Sequence, residues 1–597
     1  VVLDVDEFDW ATPGNGILIW HIDEKIINQN LAANKINVGK NRGVDLEEAD
    51  GIQDIGEEFQ TIFGDIVIAE GEEFDFWYSN NSSELYQNKF SNDTKPNTNL
   101  NSGANSLISF SNFSEIGNEM SFSVSFGSEN INPLIRMEGF GEHESLKLSN
   151  NIDPFKSFSV QETGLTINFA SLLIPNFTDV EFALVENNES ELAIGSKDSL
   201  LKLFYFGNEN TTQIVNIGAK CSAPIVVNQL NENESIIYVG LENGTIKTYR
   251  NNIVLNSAPI LEETIQLFNS TLSQIAILDN ELAASSLNKI KFVNGSEIIF
   301  PAEVKNFILT KNNSNEFVLV VLTFGNEIYT YKKEDQQTVK IYSGNYEIES
   351  IAVGDLKKSG ENFIVFNEGN FIQVINFLGT QANNFPFHID GFNFTGTPNI
   401  ADLDNDGFAD IISLNDNGDI YSVSGNTGKL ISGFPISIGG NVGRLNTIVK
   451  RENDLLFSAT SSDNEIFYWS FNSSGNVQWG SKFGNNLNSS SINSASDENF
   501  ISTFFPQNRT YNWPNPVYGN ETYIRTYVSE DSKVNIKIFD LAGDLVDESS
   551  FNAIGGLDTE IAWNVTNIQS GAYLAHLEAT SNSGKSESKI IKIAIVK

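Results

Sequence analysis

The stretch Asp410-Ile-Ile-Ser-Leu-Asn-Asp-Asn-Gly-Asp-Ile420 contains the pattern that decides the fold of most of this chain. A short apolar run is followed by Asn-Gly and a second strand-like run, which is typical of two antiparallel strands joined by a tight turn. The turn Glu242-Asn-Gly-Thr-Ile246 aligns with Asp416-Asn-Gly-Asp-Ile420 without a gap, at a distance of 174 residues. The chain therefore carries an internal β repeat.

The apolar run recurs seven times through the middle of the chain. Each copy begins with a polar residue, and the copies start at Glu191, Ser235, Glu281, Glu316, Asn362, Asp410 and Asp454. Their spacings are 44, 46, 35, 46, 48 and 44 residues. A repeat of about 45 residues made of short strands has the length of a β-propeller blade, and no sustained helical stripe supports a helical solenoid. We expect a mainly β protein with a propeller of about seven blades over residues 165–490, with six or eight blades as alternatives.

The sixth copy contains the acidic loop Asp402-Leu-Asp-Asn-Asp-Gly-Phe-Ala-Asp410. Its carboxylates are those of Asp402, Asp404, Asp406 and Asp410. Gly407 allows a sharp turn, and Phe408 offers its backbone carbonyl. Such converging oxygens suit Ca²⁺, and the strand that follows distinguishes the loop from an EF-hand. The copies resemble FG-GAP/VCBS propeller repeats. Because Asp355-Leu-Lys-Lys-Ser-Gly360 has lysines inside the equivalent loop, we expect one structural calcium site; a solvated acidic turn is the alternative.

The last part of the chain has a separate strand pattern. Apolar and polar residues alternate in Val534-Asn-Ile-Lys-Ile-Phe-Asp540, and a turn follows with Gly543. With Tyr511-Asn-Trp-Pro-Asn-Pro-Val517, Ser570-Gly-Ala-Tyr573 and the basic, apolar end of the chain, the order resembles the C-terminal sorting domain of the type IX secretion system. The resemblance implies an Ig-like β-sandwich over residues 511–597, export across the outer membrane, and the type IX secretion machinery as a partner. An ordinary small β-sandwich is the alternative.

The first 127 residues contain four runs in a fixed order. They are Gly16-Ile-Leu-Ile-Trp-His-Ile-Asp-Glu24, Glu48-Ala-Asp-Gly51, Lys95-Pro-Asn-Thr98 and Gly117-Asn-Glu-Met-Ser-Phe-Ser-Val-Ser-Phe126. This order resembles the C-terminal part of the catalytic domain of immune-inhibitor-A-like zinc metallopeptidases, and implies a partial α+β domain made mostly of strands. For the whole enzyme it implies hydrolysis of protein or peptide substrates by zinc-activated water.

The zinc-binding motif of that family, H-E-x-x-H on a helix, does not occur in this sequence. The four histidines are far apart: His21, His143, His388 and His576. The resemblance places the motif, and with it Zn²⁺, upstream of Val1, so this chain alone is expected to be inactive. The candidate protease-domain residues are His21, Asp23, Glu24 and Asp50. His21 and Asp23 are predicted to share one strand face. His21 has either a substrate-side or metal-adjacent role in the complete enzyme or a structural position in the core or at a strand edge. The acidic residues either bind a structural calcium or form a solvated acidic face.

Composition excludes several other functions. The 36 Lys and Arg residues against 77 Asp and Glu residues give a formal net charge of −41, and such a surface repels nucleic acid and anionic membranes while attracting divalent cations. The single cysteine, Cys221, excludes an intrachain disulfide framework. No apolar run approaches the roughly 18–20 residues of a membrane helix. We expect a protein that is secreted or attached to the outer-membrane surface, with no nucleic-acid partner.

The remaining segments, residues 128–164 and 491–510, are predicted linkers. Together these patterns predict the C-terminal portion of a secreted bacterial zinc metallopeptidase, with a calcium-stabilised propeller and a sorting domain. The rival interpretation is a non-catalytic surface protein, an adhesin or glycan-binding propeller whose protease-like segment is vestigial. Its abundant aromatic residues would then provide a platform for surface glycans or proteins. A zinc-binding helix encoded upstream of Val1 would decide between the two.

Overall fold

The computed structural model describes residues 12–138, 143–150, 155–161, 163–167, 172–187, 190–207, 210–312, 315–440, 442–493, 504–505, 510–528, 531–553, 558–581 and 584–597. The chain divides into two compact units, Val1–Ser496 and Asp497–Lys597. Many small antiparallel sheets make up the described residues, which include a single α-helix. Within these residues, no helix has the length and apolar character needed to cross a membrane.

The first unit begins with a small module of short strands. Its elements are β1 (Trp20–Ile22), α1 (Glu24–Asn30), a 3₁₀ helix (Leu31–Ala33), β2 (Val44–Leu46), β3 (Glu58–Gln60), β4 (Ile66–Ile68), a second 3₁₀ helix (Glu73–Asp75), β5 (Lys89–Phe90), β6 (Ile108–Ser111) and β7 (Ser123–Phe126). β1 pairs with β2, β3 with β4, and β5, β6 and β7 form a third sheet. A buried aromatic core around Trp77 and Phe113 holds the module together because these short strands bury little surface on their own.

Eight four-stranded units then follow one another along the chain. The strand β8 (Ile131–Glu138) comes before the first sheet. Sheet 1 contains β9 (His143–Leu148), β10 (Ser157–Gln161), β11 (Gly164–Ile167) and β12 (Leu172–Pro175), and sheet 2 contains β13 (Ala183–Glu186), β14 (Glu191–Lys197), β15 (Leu200–Phe206) and β16 (Thr211–Asn216). Sheet 3 contains β17 (Val226–Gln229), β18 (Glu234–Gly240), β19 (Thr245–Asn252) and β20 (Ile260–Gln266), and sheet 4 contains β21 (Gln274–Leu278), β22 (Glu281–Ser286), β23 (Lys289–Phe292) and β24 (Glu297–Ile299).

The array continues with four more sheets. They are sheet 5, β25 (Val304–Lys311), β26 (Phe317–Thr323), β27 (Glu327–Lys332) and β28 (Gln337–Ser343); sheet 6, β29 (Ile351–Gly354), β30 (Phe363–Glu368), β31 (Phe371–Ile375) and β32 (Phe387–His388); sheet 7, β33 (Phe394–Ala401), β34 (Asp410–Asn415), β35 (Asp419–Ser424) and β36 (Ile436–Ser437); and sheet 8, β37 (Val442–Lys450), β38 (Leu455–Ser461) and β39 (Glu465–Phe471) with β8 as its fourth strand. Two later strands add to these sheets: β40 (Val477–Trp479) pairs with β33 of sheet 7, and β41 (Ser491–Ile492) pairs with β25 of sheet 5.

The repeats counted in the sequence correspond to one position in each sheet. All seven copies start at, or within one residue of, the second strand of sheets 2 to 8. Sheet 1 comes before the first copy, and its strands β9 and β10 lie in residues 128–164, the segment predicted to be a linker. The alternation of Ser157-Phe-Ser-Val160 is too short and too rich in serine to match the longer apolar runs of the other copies.

Neighbouring sheets are in contact mainly through their first strands. From sheet 2 to sheet 8, each first strand approaches that of the next sheet, and β37 of sheet 8 approaches β9 of sheet 1. Sheets 1 and 2 share a buried core that includes Phe158 and Phe182. Sheet 8 is completed by β8, which pairs antiparallel with β39 and precedes it by more than three hundred residues. The sheets therefore form a cyclic array closed by strands from both ends.

Residues 477–492, here called the central segment, make hydrogen bonds along the first strands of all eight sheets. In sheets 1 to 5 the partners are Leu148, Leu184, Val227, Ile277 and Leu309, with distances of 2.7–3.0 Å. In sheet 8, Ile448 N donates to Gly480 O at 2.8 Å; in sheet 7, Ile400 pairs with Trp479; and Asp355 N, one residue after β29 of sheet 6, donates to Gln478 Oε1 at 2.7 Å. The interior of the cyclic array is thus occupied by the chain itself.

The second unit contains two sheets around one core. Its strands are β42 (Tyr511–Trp513), β43 (Glu521–Tyr527), β44 (Ser532–Asp540), β45 (Leu545–Ala553), β46 (Asp558–Asn564), β47 (Gly571–Ser581) and β48 (Ser586–Ile595), in the orders β42-β43-β46 and β45-β44-β47-β48. The predicted alternation is observed, with Val534, Ile536 and Ile538 buried in the core. Phe504 and Phe505 also belong to this core, and β41 belongs to the first unit, so the predicted linker 491–510 contributes to both folds.

Candidate metal centre

The acidic loop connects β33 to β34 in sheet 7. Its backbone takes two sharp turns, at Asn405 with φ 58° and at Gly407 with φ 85°. The amide side chain of Asn405 is held from outside the loop, because its Oδ1 accepts hydrogen bonds from Ser474 N at 2.9 Å and from Ser473 Oγ at 3.1 Å. These contacts hold the turn at Asn405 against Ser473 and Ser474.

Three of the predicted ligands converge. Carboxylate oxygens of Asp402, Asp404 and Asp410 lie within 4.8 Å of one another. Asp402 Oδ2 accepts from Gly407 N at 3.1 Å, and Asp410 Oδ2 accepts from Leu403 N at 2.8 Å. The second oxygens, Asp402 Oδ1 and Asp410 Oδ1, are buried without a hydrogen-bond partner. A cation placed among these oxygens would supply the partner that both of them lack.

Burial makes this an unfavourable place for bare negative charge. It raises the pKa of Asp402 to about 6, and the charge of Asp404 contributes in the same direction. Asp410 is fully buried, and desolvation followed by the charges of Asp404 and Asp406 raises its pKa well above the usual range. Buried carboxylates that repel one another must hold protons or bind a cation, because an unpaired buried charge is costly.

The other two predicted ligands have different surroundings. Asp406 Oδ1 accepts a hydrogen bond from Phe408 N at 2.8 Å, and Asp406 is not among the three residues whose carboxylate oxygens cluster. The side chain of Phe408 is buried, so any contribution to a metal from this residue would come from its backbone carbonyl oxygen. The core of the candidate centre is therefore Asp402, Asp404 and Asp410.

The equivalent loop in sheet 6 has the same shape without the acidic set. Lys358 and Gly360 take φ values of 53° and 76°, close to those of Asn405 and Gly407. The carboxylate at the first position, Asp355, accepts from the amides of Lys357, Ser359 and Gly360 at 3.0, 3.1 and 2.6 Å. Phe363 stands where sheet 7 has Asp410. The carboxylate of Asp355 is therefore satisfied by the backbone of its own loop, and sheet 6 provides an internal control for sheet 7.

The candidate protease-domain residues do not gather around one point. His21 Nδ1 lies 3.1 Å from Glu47 Oε1, and this hydrogen bond raises the pKa of His21. Asp23 lies beyond β1 and caps helix α1, accepting from Ile26 N at 3.0 Å, so it does not share a strand face with His21. The prediction of a shared strand face was wrong because β1 ends at Ile22, one residue before Asp23. Glu24 is exposed in the first turn of α1.

Asp50 belongs to a second group of carboxylates, with Glu48 and Asp75, that the structure buries in the first module. Glu48 accepts from Asp54 N at 2.8 Å and Ile55 N at 3.1 Å, and Asp50 Oδ1 accepts from Ile52 N at 2.9 Å. Burial raises the pKa of Glu48 to about 7 and that of Asp75 to about 6. Asp75 was not predicted, since nothing in the sequence links it to the Glu48-Ala-Asp-Gly51 run. Glu47, Glu48 and Asp50 are buried here, although an exposed acidic face was one alternative.

Neither carboxylate group contains a histidine. Neither group therefore has the donors of a typical catalytic zinc site, which takes at least one histidine or cysteine together with an open position.

Comparison with known proteins identifies the end of the chain. A family model described as "Secretion system C-terminal sorting domain" matches residues 512–593, the two sheets of the second unit. Residues 512–593 are a type IX secretion C-terminal sorting domain. This confirms the resemblance carried by the runs Tyr511–Val517, Val534–Asp540 and Ser570–Tyr573. The sorting domain implies an interaction with the type IX secretion machinery and indicates a secreted or cell-surface protein.

Comparisons with curated proteins and with solved structures identify no further family. No curated protein shows a significant sequence match. Among solved structures, Sqt1 of Saccharomyces cerevisiae is 10% identical with a TM-score of 0.43, covering 57% of this chain and 99% of that one. BBS1N, solved in complex with ARL6DN, is 10% identical with a TM-score of 0.36, covering 50% and 93%. A chain of the Mitotic Checkpoint Complex is 12% identical with a TM-score of 0.35, covering 57% and 93%.

Proposed function

We propose that this chain is the non-catalytic C-terminal portion of a secreted zinc metallopeptidase: a cation-stabilised β-propeller preceded by the end of the protease domain and followed by the sorting domain. The protease, the propeller and the cation each have separate support. The missing protease part would supply the activity of the whole protein. The propeller and the cation site are what this chain would contribute to it.

The observation that carries the protease assignment is the packing of the first module. The runs that resemble the peptidase family lie far apart in sequence but form one small fold. His21 in the first run pairs with Asp45 next to the second run, and Ala49 lies in the core with Trp77. The indole of Trp77 donates to Glu47 O at 2.9 Å. These residues therefore act as a framework, which is the role expected for the part of a catalytic domain that does not hold the metal.

The propeller assignment is supported by the cyclic array. Eight four-stranded antiparallel sheets in chain order, with first strands towards a common interior, have the arrangement of propeller blades. We propose eight blades, one more than the seven copies counted in the sequence. Pairing of β8 with β39 would join the two ends of the ring in the last blade.

The proposed cation is Ca²⁺ at Asp402, Asp404 and Asp410. Its support is the pair of buried, unpaired carboxylate oxygens and the all-oxygen character of the group, which a hard cation prefers. The role would be structural, because the site lies in the loop that joins two strands of one sheet and two of its three carboxylates have no free oxygen exposed to solvent.

The experiment that tests the assignment begins with the coding sequence upstream of Val1. If it encodes an H-E-x-x-H helix, the whole product should hydrolyse casein, and replacing the first histidine of that motif by alanine should abolish the activity. If a complete reading frame lacks the motif, or its product is inactive with zinc supplied, the protease assignment is wrong. The alternative is then a non-catalytic secreted or cell-surface binding protein, an adhesin or glycan-binding propeller.

A further inference from the structure

The hairpin formed by β3 and β4 is the most exposed apolar feature of the first module. Its large apolar side chains are between 46% and 93% exposed: Phe59, Ile62, Phe63, Ile66, Val67 and Ile68. Every residue of both strands is exposed, so neither face of the hairpin is covered. Among the described residues, the two strands pair only with each other.

Such a hairpin is unusual for a free protein surface. A two-stranded hairpin is marginally stable in water unless a face is covered, and contiguous exposed apolar groups mark interaction sites. Its outer edges also present backbone N–H and C=O groups that can pair with another extended chain. The hairpin therefore has both components of strand addition: a free edge for the backbone and apolar positions for alternate side chains.

The charge around the hairpin selects the partner. Residues 43–88 contain 13 Asp and Glu residues and no Lys or Arg. The nearest preceding cation, Arg42, pairs with Asp45 at 2.9 Å and with Glu57 at 2.8 Å. Glu58, Asp65 and Glu70 remain exposed on or beside the hairpin. A second copy of this chain would bring the same acidic charges against one another, whereas a basic segment would be attracted.

We propose that the β3–β4 hairpin is a docking site for an extended polypeptide segment in which basic and apolar side chains alternate. The segment would add to the hairpin as a third strand. Its apolar side chains would cover the face that carries Ile66 and Ile68, and its Lys or Arg side chains would lie on the opposite face, near Asp65. This docking needs no hydrolysis, so it does not depend on the proposed zinc site.

The test is peptide binding to the full chain, measured by fluorescence anisotropy. The probe is a labelled, end-blocked peptide of about nine residues that alternates Lys and Val, a length that matches a typical strand. The comparison peptides alternate Glu and Val, or Lys and Ser. The docking variant is Phe59→Thr, Ile66→Thr and Ile68→Thr, which keeps β-forming residues. The control is Ile260→Thr with Leu261→Thr on β20, two apolar residues that are 70% and 50% exposed elsewhere on an outer strand.

The Lys/Val peptide should bind, the other two should not, and raising the salt from about 50 to about 300 mM should weaken binding. The docking variant should raise the Kd at least about tenfold, and the β20 control should change it less than about twofold. Equal unfolding midpoints of all variants show that folding is intact. The proposal is overturned if the docking variant binds like the control, or if the Glu/Val peptide binds equally well. It is also overturned if sedimentation velocity shows a dimer that the docking variant abolishes while no peptide binds, which would assign the hairpin to a second copy.

Discussion

Replacing Asp410 by asparagine should have opposite effects on stability with and without calcium. Without a cation, Asp410 is a fully buried carboxylate with an unpaired oxygen, close to Asp402 and Asp404. The substituted amide keeps an oxygen for the backbone N–H of Leu403. It also removes the cost of either burying a negative charge or taking up a proton at this position. In chelator, we therefore expect Asp410→Asn to be as stable as the wild type or more stable by about 1–3 kcal/mol.

With calcium the order should reverse. For a site with a Kd of about 0.1 mM, as in extracellular modules, about 10 mM Ca²⁺ would stabilise the wild type by about 2.7 kcal/mol. For an array of this size, that corresponds to a rise of about 3–5 °C in the unfolding midpoint. The variant has lost a charged ligand and should show little of this rise. The wild type should therefore have the higher unfolding midpoint in calcium, and Asp410→Asn should have an equal or higher midpoint in chelator.

The assay is thermal unfolding followed by tryptophan fluorescence, to which Trp479 beside sheet 7 contributes, and repeated in chelator and in calcium. The matched control is Asp355→Asn in sheet 6. Asp355 is bonded to three loop amides, so this variant should lose about 1–2 kcal/mol equally in both conditions. An unchanged wild-type midpoint in chelator would refute the reasoning. So would an equal calcium response in Asp410→Asn, since the binding would then lie elsewhere.

Three further perturbations test other parts of the structure. Asn488→Leu in the central segment removes hydrogen bonds to Phe182 O and Ile225 O, and urea unfolding should show a loss of about 2–4 kcal/mol without a change in the calcium response. Burial, with repulsion by the nearby Glu191, raises the pKa of Glu186 from 4.5 to about 7, so the folded state keeps a proton that the unfolded state releases. The free energy of unfolding should therefore fall as the pH rises from about 5 to about 7.5. The variant Glu186→Gln should show a smaller fall over the same range. A chain ending at residue 496 should fold its first unit but fail to reach the cell surface or medium, as measured by fractionation; equal export of the shortened chain would contradict the role of the sorting domain.

Local patterns explain what the sequence predicted correctly. The second strand of seven sheets is a continuous apolar run because it is buried on both faces, and the runs therefore stand out at regular spacing. In the sorting domain, Val534, Ile536 and Ile538 alternate with polar residues because one face of their sheet is buried. The strand that follows the loop Asp402–Asp410 also agrees with the local sequence, whereas calcium binding by the loop stays a prediction.

Pairings across long distances explain what could not be predicted. β8 completes sheet 8 although it carries Pro133 and precedes β39 by more than three hundred residues, and no repeat marks it. The central segment is rich in Ser and Asn, a composition typical of linkers, yet Asn486 and Asn488 satisfy backbone groups of several strands. The same holds for Asp75 beside Glu48, and for His21 beside Glu47. Each is a contact between residues whose local sequence is equally compatible with an exposed loop.

The two equivalent loops in sheets 6 and 7 separate the shape of the site from its chemistry. Their backbones turn at the same two positions with nearly the same φ values, although one contains Lys357 and Lys358 and the other Asp404 and Asn405. The acidic set is therefore not needed to form the turn. In sheet 6, three amides satisfy the carboxylate of Asp355. In sheet 7, the equivalent Asp402 and the added Asp410 each have one buried oxygen without a hydrogen-bond partner. Because the loop of sheet 6 folds without the acidic set, the cost of that set in sheet 7 is an argument for the proposed cation, and we expect the cation to bind in the loop of sheet 7 and not in that of sheet 6.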